Sequence, residues 1–313
     1  MPFNRIAVYS HRGWVSSEIV KGLAASGAYI RVLYRPGSDI STLPENVDTV
    51  EVDLADHEAL IRSLQDIDIV ISLVGHDGVT IQHHFITVIP KTNVQLFSPS
   101  DLASRYDSLG LRIPLNKAKR EVEEAAHQAG IPTTIVLTGN FAEFALGTRA
   151  MGVDCVNNKM IFSGDSATLP VNLCTRPYVA AAYASIFAST PIDQLKGRFL
   201  ALSELRPTGN EIAAALTKKF NGAPSTALES TEDTIRRIET ELEAGSPLAL
   251  AHCCRKIWGN GQQTEMVGDD IWDVEGYSKS TIDDLIVGGH LGQYRALPAA
   301  ANDHFAGLFK DCK

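Results

Sequence analysis

A short loop near the amino terminus has the residue pattern of a loop that binds phosphate. It follows the apolar run Ile6 to Tyr9 and reads Ser10-His11-Arg12-Gly13-Trp14-Val15-Ser16. In dinucleotide-binding loops the first glycine makes the tight turn, the second lets the backbone reach the pyrophosphate, and the third packs helix on strand. Ser10 and Ser16 stand at the outer positions and only Gly13 is retained. The sequence therefore predicts a nucleotide-binding loop in a weakened form, because a left-handed Ser10 would cost about 1 to 2 kcal/mol.

Two arginines could add positive charge to this loop. Arg35 ends the second apolar run, at the position where a carboxylate binds the ribose of NAD and a cation accommodates the 2′-phosphate of NADP. Arg12 lies in the loop itself, and a planar guanidinium can bind phosphate through two hydrogen bonds. We therefore expect NADP(H) if a dinucleotide binds. The alternative is that both arginines are solvated surface residues.

The segments around these residues alternate between apolar strands and amphipathic helices. The unit from Ile6 to Tyr34 closes in about thirty residues, as a βαβ unit does. Further strands are predicted over 49–53, 67–74, 94–98 and 133–138, and helices over 57–64, 82–89 and 116–129. Apolar runs between helices indicate a parallel sheet covered on both faces. The predicted fold class is α/β, a doubly wound parallel sheet of the Rossmann type, whose ligands bind beyond the carboxyl ends of the strands.

The regular alternation fades after about residue 150. We predict a dinucleotide-binding domain over 1–150, with a returning segment near 200–222, and a smaller α+β substrate-binding domain over 151–313. Within the returning segment, Thr208 or Asn210 should cap a helix. A polar helix over 230–245 carries an apolar stripe on one face, which predicts a packing face; the alternatives are a face that lines a substrate cavity or one that binds a partner.

Composition excludes several classes of protein. The 313 residues carry a formal net charge of −9, which argues against general binding to nucleic acid. No apolar stretch approaches the roughly 18 to 20 residues of a membrane helix, and the five cysteines form no CxxC pair. We expect a reduced cytoplasmic protein, a monomer or a homodimer, without membrane partners. No metal site is expected, because the neighbours in His83-His84 and in His252-Cys253 point apart on a helix or strand.

The order of strand-end motifs resembles the isoflavone reductase-like and NmrA-like branch of the atypical short-chain dehydrogenase/reductases. The resemblance covers nearly all of residues 5–145 and, more weakly, the rest. Besides the loop, the matching pieces are Arg35-Pro36-Gly37-Ser38, Val52-Asp53-Leu54, Asp68-Ile69-Val70-Ile71-Ser72, Phe97-Ser98-Pro99-Ser100-Asp101, and Lys119 to Glu123 before Ala129-Gly130-Ile131-Pro132-Thr133. The resemblance implies an NADPH-dependent reductase of a small, often aromatic metabolite. A minority of the family are regulators that bind NADP without turning it over.

The resemblance also implies roles for residues at the strand ends. The backbone of residues 10–15 would hold the pyrophosphate with help from the helix N-terminus. Asp53 and Leu54 would contact the adenine, residues 73–75 the adjacent ribose, and Asn140 and Phe141 the nicotinamide. The implied cofactor-binding set is Ser10, Arg12, Gly13, Trp14, Val15, Arg35, Asp53, Leu54, Leu73, Val74, Gly75, Ser98, Asn140 and Phe141.

The lysine that such reductases use falls on Lys119 in this chain, with Lys117 as a weaker candidate. A desolvated ammonium group near a cationic nicotinamide ring can have its pKa lowered and donate a proton after hydride addition. The chain holds no Tyr-x-x-x-Lys, so lysine alone or groups of the substrate must do the acid-base work. The alternative is a solvated helix face, because the pairs Lys117-Glu121, Lys119-Glu123 and Arg120-Glu124 all have four-residue spacing.

Three functions therefore stay open at the level of sequence. The first is an NADPH-dependent reductase of a small metabolite with Lys119 as the acid. The second is a non-redox isomerase, cyclase or dehydratase that uses the inherited pocket, suggested by the degenerate loop. The third is an NADP-sensing regulator. The substrate is not identified, and its specificity should depend on C-terminal residues, among them Trp258, Trp272, Tyr277 and Phe305.

Overall fold

The computed structural model describes residues 3–313, which contain parallel and mixed sheets surrounded by helices. The strands are β1 (Arg5–Tyr9), β2 (Tyr29–Tyr34), β3 (Asp48–Glu51), β4 (Ile69–Ser72), β5 (Leu96–Ser98), β6 (Thr134–Leu137), β7 (Asn140–Phe141), β8 (Val153–Asp154), β9 (Lys159–Ser163), β10 (Leu173–Cys174), β11 (Arg198–Ala201) and β12 (Ser225–Glu229). The α-helices are α1 (Ser16–Ala25), α2 (His57–Ser63), α3 (His83–Val88), α4 (Pro114–Gln128), α5 (Ala142–Gly147), α6 (Arg176–Phe187), α7 (Gly209–Phe220), α8 (Thr231–Glu243), α9 (Ala249–Gly259), α10 (Gln262–Val267), α11 (Ile282–Ile286) and α12 (Ala299–Gly307).

The large sheet is parallel and doubly wound, as the sequence predicts. Five strands pair in the order β3-β2-β1-β4-β5, a bridge between Phe97 and Thr133 continues the sheet to β6, and β11 pairs with β6. The chain winds from β1 toward β3 and then crosses back to β4 on the other side of β1. The direction of winding therefore reverses between β1 and β4, and in open α/β sheets ligands bind at this reversal.

Apolar side chains bury both faces of this sheet. On one face α1 and α6 pack together over β1 and β2, with Ile19, Leu23 and Tyr183 in the shared core. On the other face Leu60, Phe85 and Val122 anchor α2, α3 and α4. Both faces are covered because each strand is a nearly continuous apolar run.

The part of the chain after α5 builds a smaller unit. The strands β8, β9 and β12 form a three-stranded sheet in the order β12-β9-β8, and α7, α9 and α11 pack beside it through residues such as Ile212, Trp258 and Leu285. Thr208 caps α7 in a capping box with Glu211, which resolves the two caps that the sequence left open. The apolar stripe of α8 does pack, because Ile238 is fully buried and Leu242 lies against the same cluster.

The chain returns to the large sheet earlier than the sequence predicts. We expected the returning segment near 200–222, but α6 packs on α1 and β11 pairs with β6 along Arg198–Ala201. In contrast, α7 buries Ile212 and Leu216 in the core of the smaller unit. An amphipathic pattern does not reveal which of two cores a helix faces, and the limits of the two domains stay a prediction.

Between residues 3 and 313, no helix combines the length and the apolar composition that crossing a bilayer requires.

Candidate functional site

The loop between β1 and α1 lies at the reversal of the sheet and adopts the turn of a nucleotide-binding loop. Ser10 follows the last residue of β1 and has a φ of +74°, the left-handed conformation that glycine adopts without strain. A serine in this conformation costs about 1 to 2 kcal/mol. The structure thus retains the shape of the turn although its first glycine has been replaced.

The second replaced glycine, Ser16, is accommodated by a local hydrogen bond. Its side chain is fully buried, and its hydroxyl donates to the carbonyl oxygen of Gly13 at 3.3 Å. A Cβ atom on Gly13 would lie 2.8 Å from the Ser16 hydroxyl oxygen, which is too close for an ordinary contact. Gly13 is therefore the one position of this loop where the packing of Ser16 requires a glycine.

Backbone amides at the start of α1 are available to an anion. Within residues 3–313, no hydrogen-bond acceptor pairs with the amides of Gly13, Trp14 and Val15. The N-terminus of a helix carries a partial positive charge, and consecutive free N–H groups there form a site for phosphate. The arrangement can hold a pyrophosphate without help from the lost glycines.

Arg12 and Arg35 flank these amides. Both are exposed, and among residues 3–313 neither has a carboxylate partner within ion-pair distance. The loop is fixed to the segment after β2 by His11, whose Nε2 lies 3.0 Å from the carbonyl oxygen of Asp39. Arg35 and Asp53 both act on the phenol of Tyr9, whose pKa is raised by burial, lowered by Arg35 and raised by Asp53. The two arginines and the end of β3 thus surround one end of the crevice.

The remaining positions implied for the cofactor differ in accessibility. Asp53 and Gly75 are exposed, whereas Leu54, Leu73 and Val74 are 5%, 4% and 7% exposed. Ser98 is fully buried on β5, so its side chain presents no surface to a ligand in this conformation. The strand ends around it are joined by Ser100, whose hydroxyl donates to the carbonyl oxygen of Val74 at 2.8 Å.

At the other end of the crevice lie Asn140 and Phe141, on β7. Asn140 is 6% exposed, and its side-chain nitrogen finds no hydrogen-bond acceptor within the described chain. Phe141 is half-buried and its ring meets that of Trp14 edge-on at 5.2 Å. The Asn140 side chain thus has a buried amide donor without an acceptor, which a ligand can use only if the side chains that cover it move.

Lys119 points inward from α4 toward the carboxyl end of β5. Its side chain is 13% exposed, and its Nζ lies 3.6 Å from Oδ1 of Asp101 while donating to the Asp101 carbonyl oxygen. Burial raises the pKa of Asp101, and the charges of Lys119 and Arg105 lower it. The ammonium group is therefore held in place by one half-buried residue at a strand end.

The ladder of ion pairs expected on α4 is only partly present. Lys117 is 67% exposed and lies 3.7 Å from Glu121, as a solvated helix face predicts. Lys119 does not pair with Glu123, because that carboxylate binds Arg105 through both oxygens. The structure thus separates the two candidate lysines: Lys117 faces solvent and Lys119 faces the crevice.

His76 and Arg295 share this end of the crevice, and the sequence did not place either of them. His76 is exposed, and desolvation by the protein on one side of its ring, followed by the charges of Arg295 and Lys119, lowers its pKa to about 4. Arg295 reaches this position from the C-terminal part of the chain. His76 could have been found as a residue just beyond β4, but nothing in the sequence links Arg295 to it.

The C-terminal segment 291–295 crosses the nucleotide-binding loop. The indole Nε1 of Trp14 donates to the carbonyl oxygen of Gln293 at 2.9 Å, and the ring of Tyr294 lies 4.8 Å from that of Trp14. Tyr294 also contacts Phe144 of α5, with the ring centroids 5.5 Å apart. On the other side of Trp14, Arg176 donates to its carbonyl oxygen at 3.1 Å. Four aromatic rings, of Trp14, Phe141, Phe144 and Tyr294, therefore lie together beside the loop.

The aromatic residues that the sequence singled out for specificity lie elsewhere. Trp258 and Phe305 are 2% and 3% exposed in cores of the smaller unit. Trp272 donates to Ser185 of α6, and Tyr277 packs on Tyr178 of the same helix at 5.2 Å. Their side chains contribute to packing between elements, which spacing along the chain could not reveal.

A separate cavity of about 420 Å³ opens between α5 and α11, and Leu291 is part of its wall. Its floor is apolar, with Leu146, Val153 and Ile286, and its rim carries Arg149 and Lys219. The segment 291–295 therefore has this cavity at one end and Trp14 at the other.

Comparisons with known proteins agree with this architecture. A sequence model described as the NmrA-like family matches residues 3–255. Phenylcoumaran benzylic ether reductase 1 of Arabidopsis thaliana is 30% identical over 179 residues, which is 52% of this chain and 58% of that protein. The chain thus spans little more than half the length of the curated relatives it matches.

Solved structures show the same fold. An isoflavone reductase superposes with a TM-score of 0.78 at 20% identity, covering 91% of this chain and 99% of the other. The structure of AtPrR2 with NADP+ and (+)-pinoresinol superposes with a TM-score of 0.75 at 20% identity, covering 90% and 97%. The α/β class and the doubly wound sheet are confirmed, and with the family match over residues 3–255 the chain belongs to the NmrA-like family.

Proposed function

We propose that this protein is an NADPH-dependent reductase of a small aromatic metabolite, with Lys119 as the proton donor. The observation that carries the proposal is the free amides of Gly13, Trp14 and Val15 at the N-terminus of α1. An anion-binding helix start at the reversal of a doubly wound sheet is where the pyrophosphate of a dinucleotide binds. That AtPrR2 carries NADP+ on a similar fold supports the same cofactor here.

The choice of NADPH over NADH rests on Arg12 and Arg35. A cation after the second strand of the unit accommodates a 2′-phosphate, whereas an acidic residue there would bind the ribose hydroxyls of NAD. Both guanidinium groups are exposed and have no ion-pair partner among residues 3–313. Each can therefore bind phosphate without first breaking an ion pair.

At the other end, Lys119 is positioned to supply a proton. The cofactor, when bound, supplies a hydride from its nicotinamide ring, and the reduced substrate then carries a negative charge that must be protonated. The Nζ of Lys119 is the donor, and Asp101 orients it through its carbonyl and carboxylate oxygens. Asn140, the residue expected to lie near the nicotinamide, has a buried side-chain amide without an acceptor.

The aromatic nature of the substrate is supported by the walls of the site. Trp14, Phe141, Phe144 and Tyr294 are half-buried rings within contact of one another. Rings in such a cluster bind planar ligands through stacked and edge-on contacts. The reductase from Arabidopsis thaliana is named for a phenylcoumaran, which is a substrate of the same general character.

The binding of NADPH can be tested at Gly13. Titration followed by the fluorescence of NADPH should give saturable binding to the unchanged protein. Gly13→Val should weaken binding by at least about tenfold, because the added side chain strikes Ser16 and covers the free amides, and 1.4 kcal/mol corresponds to tenfold. The matched control is Gly222→Val, at a glycine with open space around its Cβ position outside the crevice.

The outcome of this titration also decides between the two leading functions. A non-redox isomerase, cyclase or dehydratase is favoured by one observation, the strained Ser10 at a φ of +74°, which weakens the loop. Absence of NADPH binding at high micromolar concentration would favour that second function. Binding that is equally strong in Gly13→Val would mean that the nucleotide does not use this loop.

A further inference from the structure

Three side chains that the proposed reaction does not use converge where α8, α9 and α12 meet. They are Glu241, His252 and His304, and one ligand atom from each lies within 4.8 Å of the other two. The Nε2 atoms of the two imidazoles are 3.1 Å apart, and Oε1 of Glu241 lies 4.0 Å from Nδ1 of His304. The cluster lies on the smaller unit and includes none of the residues assigned above to the dinucleotide or to proton transfer.

We propose that these three residues form a binding site for a divalent transition metal ion of the zinc type. Zinc takes imidazole nitrogens and carboxylate oxygens at about 2.0 to 2.2 Å, in tetrahedral geometry. Two ligands at that distance from one tetrahedral ion are separated by about 3.3 Å, close to the 3.1 Å between the two imidazoles. Three protein ligands leave a fourth position for water.

One hydrogen bond joins two of the three side chains, between the Nε2 atoms of His252 and His304 at 3.1 Å, and it does not account for the position of Glu241. A contact of 4.0 Å between Glu241 and His304 is too long for a hydrogen bond, and the Glu241 carboxylate forms no other side-chain bond among residues 3–313. His252 is fully buried, and its Nδ1 has no partner in the described chain. A carboxylate without a hydrogen-bond partner beside two imidazole Nε2 atoms is a group that a metal ion bound at those nitrogens would satisfy.

Arg255 and Arg237 lie near enough to His252 to act on it electrostatically and would repel a cation. Both are tied to the carboxylate of Glu229, at 2.7 Å for Arg255 and 2.6 Å for Arg237. His304 and Glu241 are 27% and 16% exposed, which leaves a route for the ion.

Such a site would fasten the C-terminal helix to the body of the smaller unit. Glu241 belongs to α8, His252 to α9 and His304 to α12. The segment 291–295, which crosses Trp14, ends just before α12. A metal ion would therefore add a link between α12 and the helices beneath it, and its loss should lower the melting temperature.

A second pair of imidazoles in the chain provides a matched control. Nε2 of His57 lies 3.1 Å from Nδ1 of His84, the same separation as in the proposed site. No third metal-ligating side chain joins this pair among residues 3–313. Both pairs therefore bring two imidazoles to the same separation, but only the pair His252 and His304 has a carboxylate beside it.

The test uses the untagged full-length protein after removal of metal by a chelator. Addition of Co²⁺ should produce the visible absorption of a tetrahedral complex at one equivalent, and Zn²⁺ should displace it and raise the melting temperature. His304→Ala should weaken Zn²⁺ binding by at least about 100-fold and Glu241→Gln by about tenfold, while His57→Ala should leave binding and the melting-temperature rise unchanged. Circular dichroism confirms that each variant is folded.

Three results would overturn the proposal. They are no spectral change on addition of Co²⁺, an unchanged affinity for Zn²⁺ in the folded His304→Ala variant, or loss of the binding of one equivalent of Co²⁺ in His57→Ala. Because NADPH is absent from all these measurements, they are independent of the proposed reductase activity.

Discussion

The two ends of the crevice use different kinds of group. At the phosphate end the available groups are backbone amides of residues 13–15 and two exposed arginines without ion-pair partners in the described chain. At the other end Lys119 is 13% exposed and held by Asp101, and Arg295 lies close enough to His76 to affect its pKa. The phosphate end depends mainly on backbone geometry, which tolerates serine for glycine. The end at Lys119, where we propose that the proton is donated, depends on the identity of single side chains, so substitutions there should have larger effects.

The largest effect is expected at Lys119. Replacement by alanine removes the proposed proton donor, and we expect turnover to fall by at least about 100-fold while NADPH affinity changes little. The measurement is kcat for NADPH oxidation with an aromatic substrate, together with a fluorescence titration of NADPH.

Lys117→Ala is the matched control for this substitution, because Lys117 is 67% exposed on the same helix. Equal losses in the two variants, or full activity of Lys119→Ala, would contradict the contrast between the two ends of the crevice.

A smaller effect is expected at the phosphate end. Arg35→Ala should weaken NADPH binding by about tenfold to 100-fold, since a hydrogen bond to a charged group contributes about 1.5 to 3 kcal/mol, and it should leave NADH binding nearly unchanged. Titrations with both nucleotides check this. Arg62→Ala, at a 68% exposed position on α2, controls for loss of surface charge, and an equal loss of NADH affinity in Arg35→Ala would rule out a 2′-phosphate contact.

The smallest effect is expected at Ser10. We expect NADPH binding to depend on the backbone conformation of this residue and not on its side chain. Ser10→Gly removes a left-handed strain of about 1 to 2 kcal/mol and adds about 0.5 to 1 kcal/mol of backbone entropy to the unfolded state. We expect the free energy of unfolding in urea to rise by up to about 1 kcal/mol with no loss of NADPH affinity.

Ser17→Gly, in the first turn of α1, is the control for the Ser10 substitution and should lower the free energy of unfolding by up to about 1 kcal/mol. A fall of similar size in Ser10→Gly would show that the serine at position 10 is not strained.

The sequence predicts the sheet well, because the features that form its strands depend on residues near one another in the chain. Apolar runs such as Ile6 to Tyr9 are strands because they are buried on both faces, and the Ser10 turn keeps its shape because the following helix and strand impose it. The helix at α4 was expected over 116–129 and occupies Pro114–Gln128. These features depend on residues near one another in the chain.

The surroundings of the candidate site could not be predicted in the same way. Four-residue spacing on α4 suggested that Lys119 pairs with Glu123, but Arg105 takes that carboxylate, and Lys119 turns to Asp101. Likewise, adjacent His252 and Cys253 argued against a metal, while His304 approaches His252 from a helix about fifty residues away. Each of these outcomes depends on contacts between distant segments.

The amino-acid sequence alone determined the α/β class, the turn after β1 with its single glycine, and the cation at the end of β2. The reason is that the spacing of apolar residues and the position of a residue at a strand end are local properties of the chain. Only the tertiary structure decided that Lys119 packs against Asp101 while Lys117 faces solvent, that Tyr294 packs on Trp14 and Arg295 approaches His76, and that two histidines meet a glutamate. The reason is that side-chain packing in the folded chain brings together residues whose separation along the sequence carries no signal.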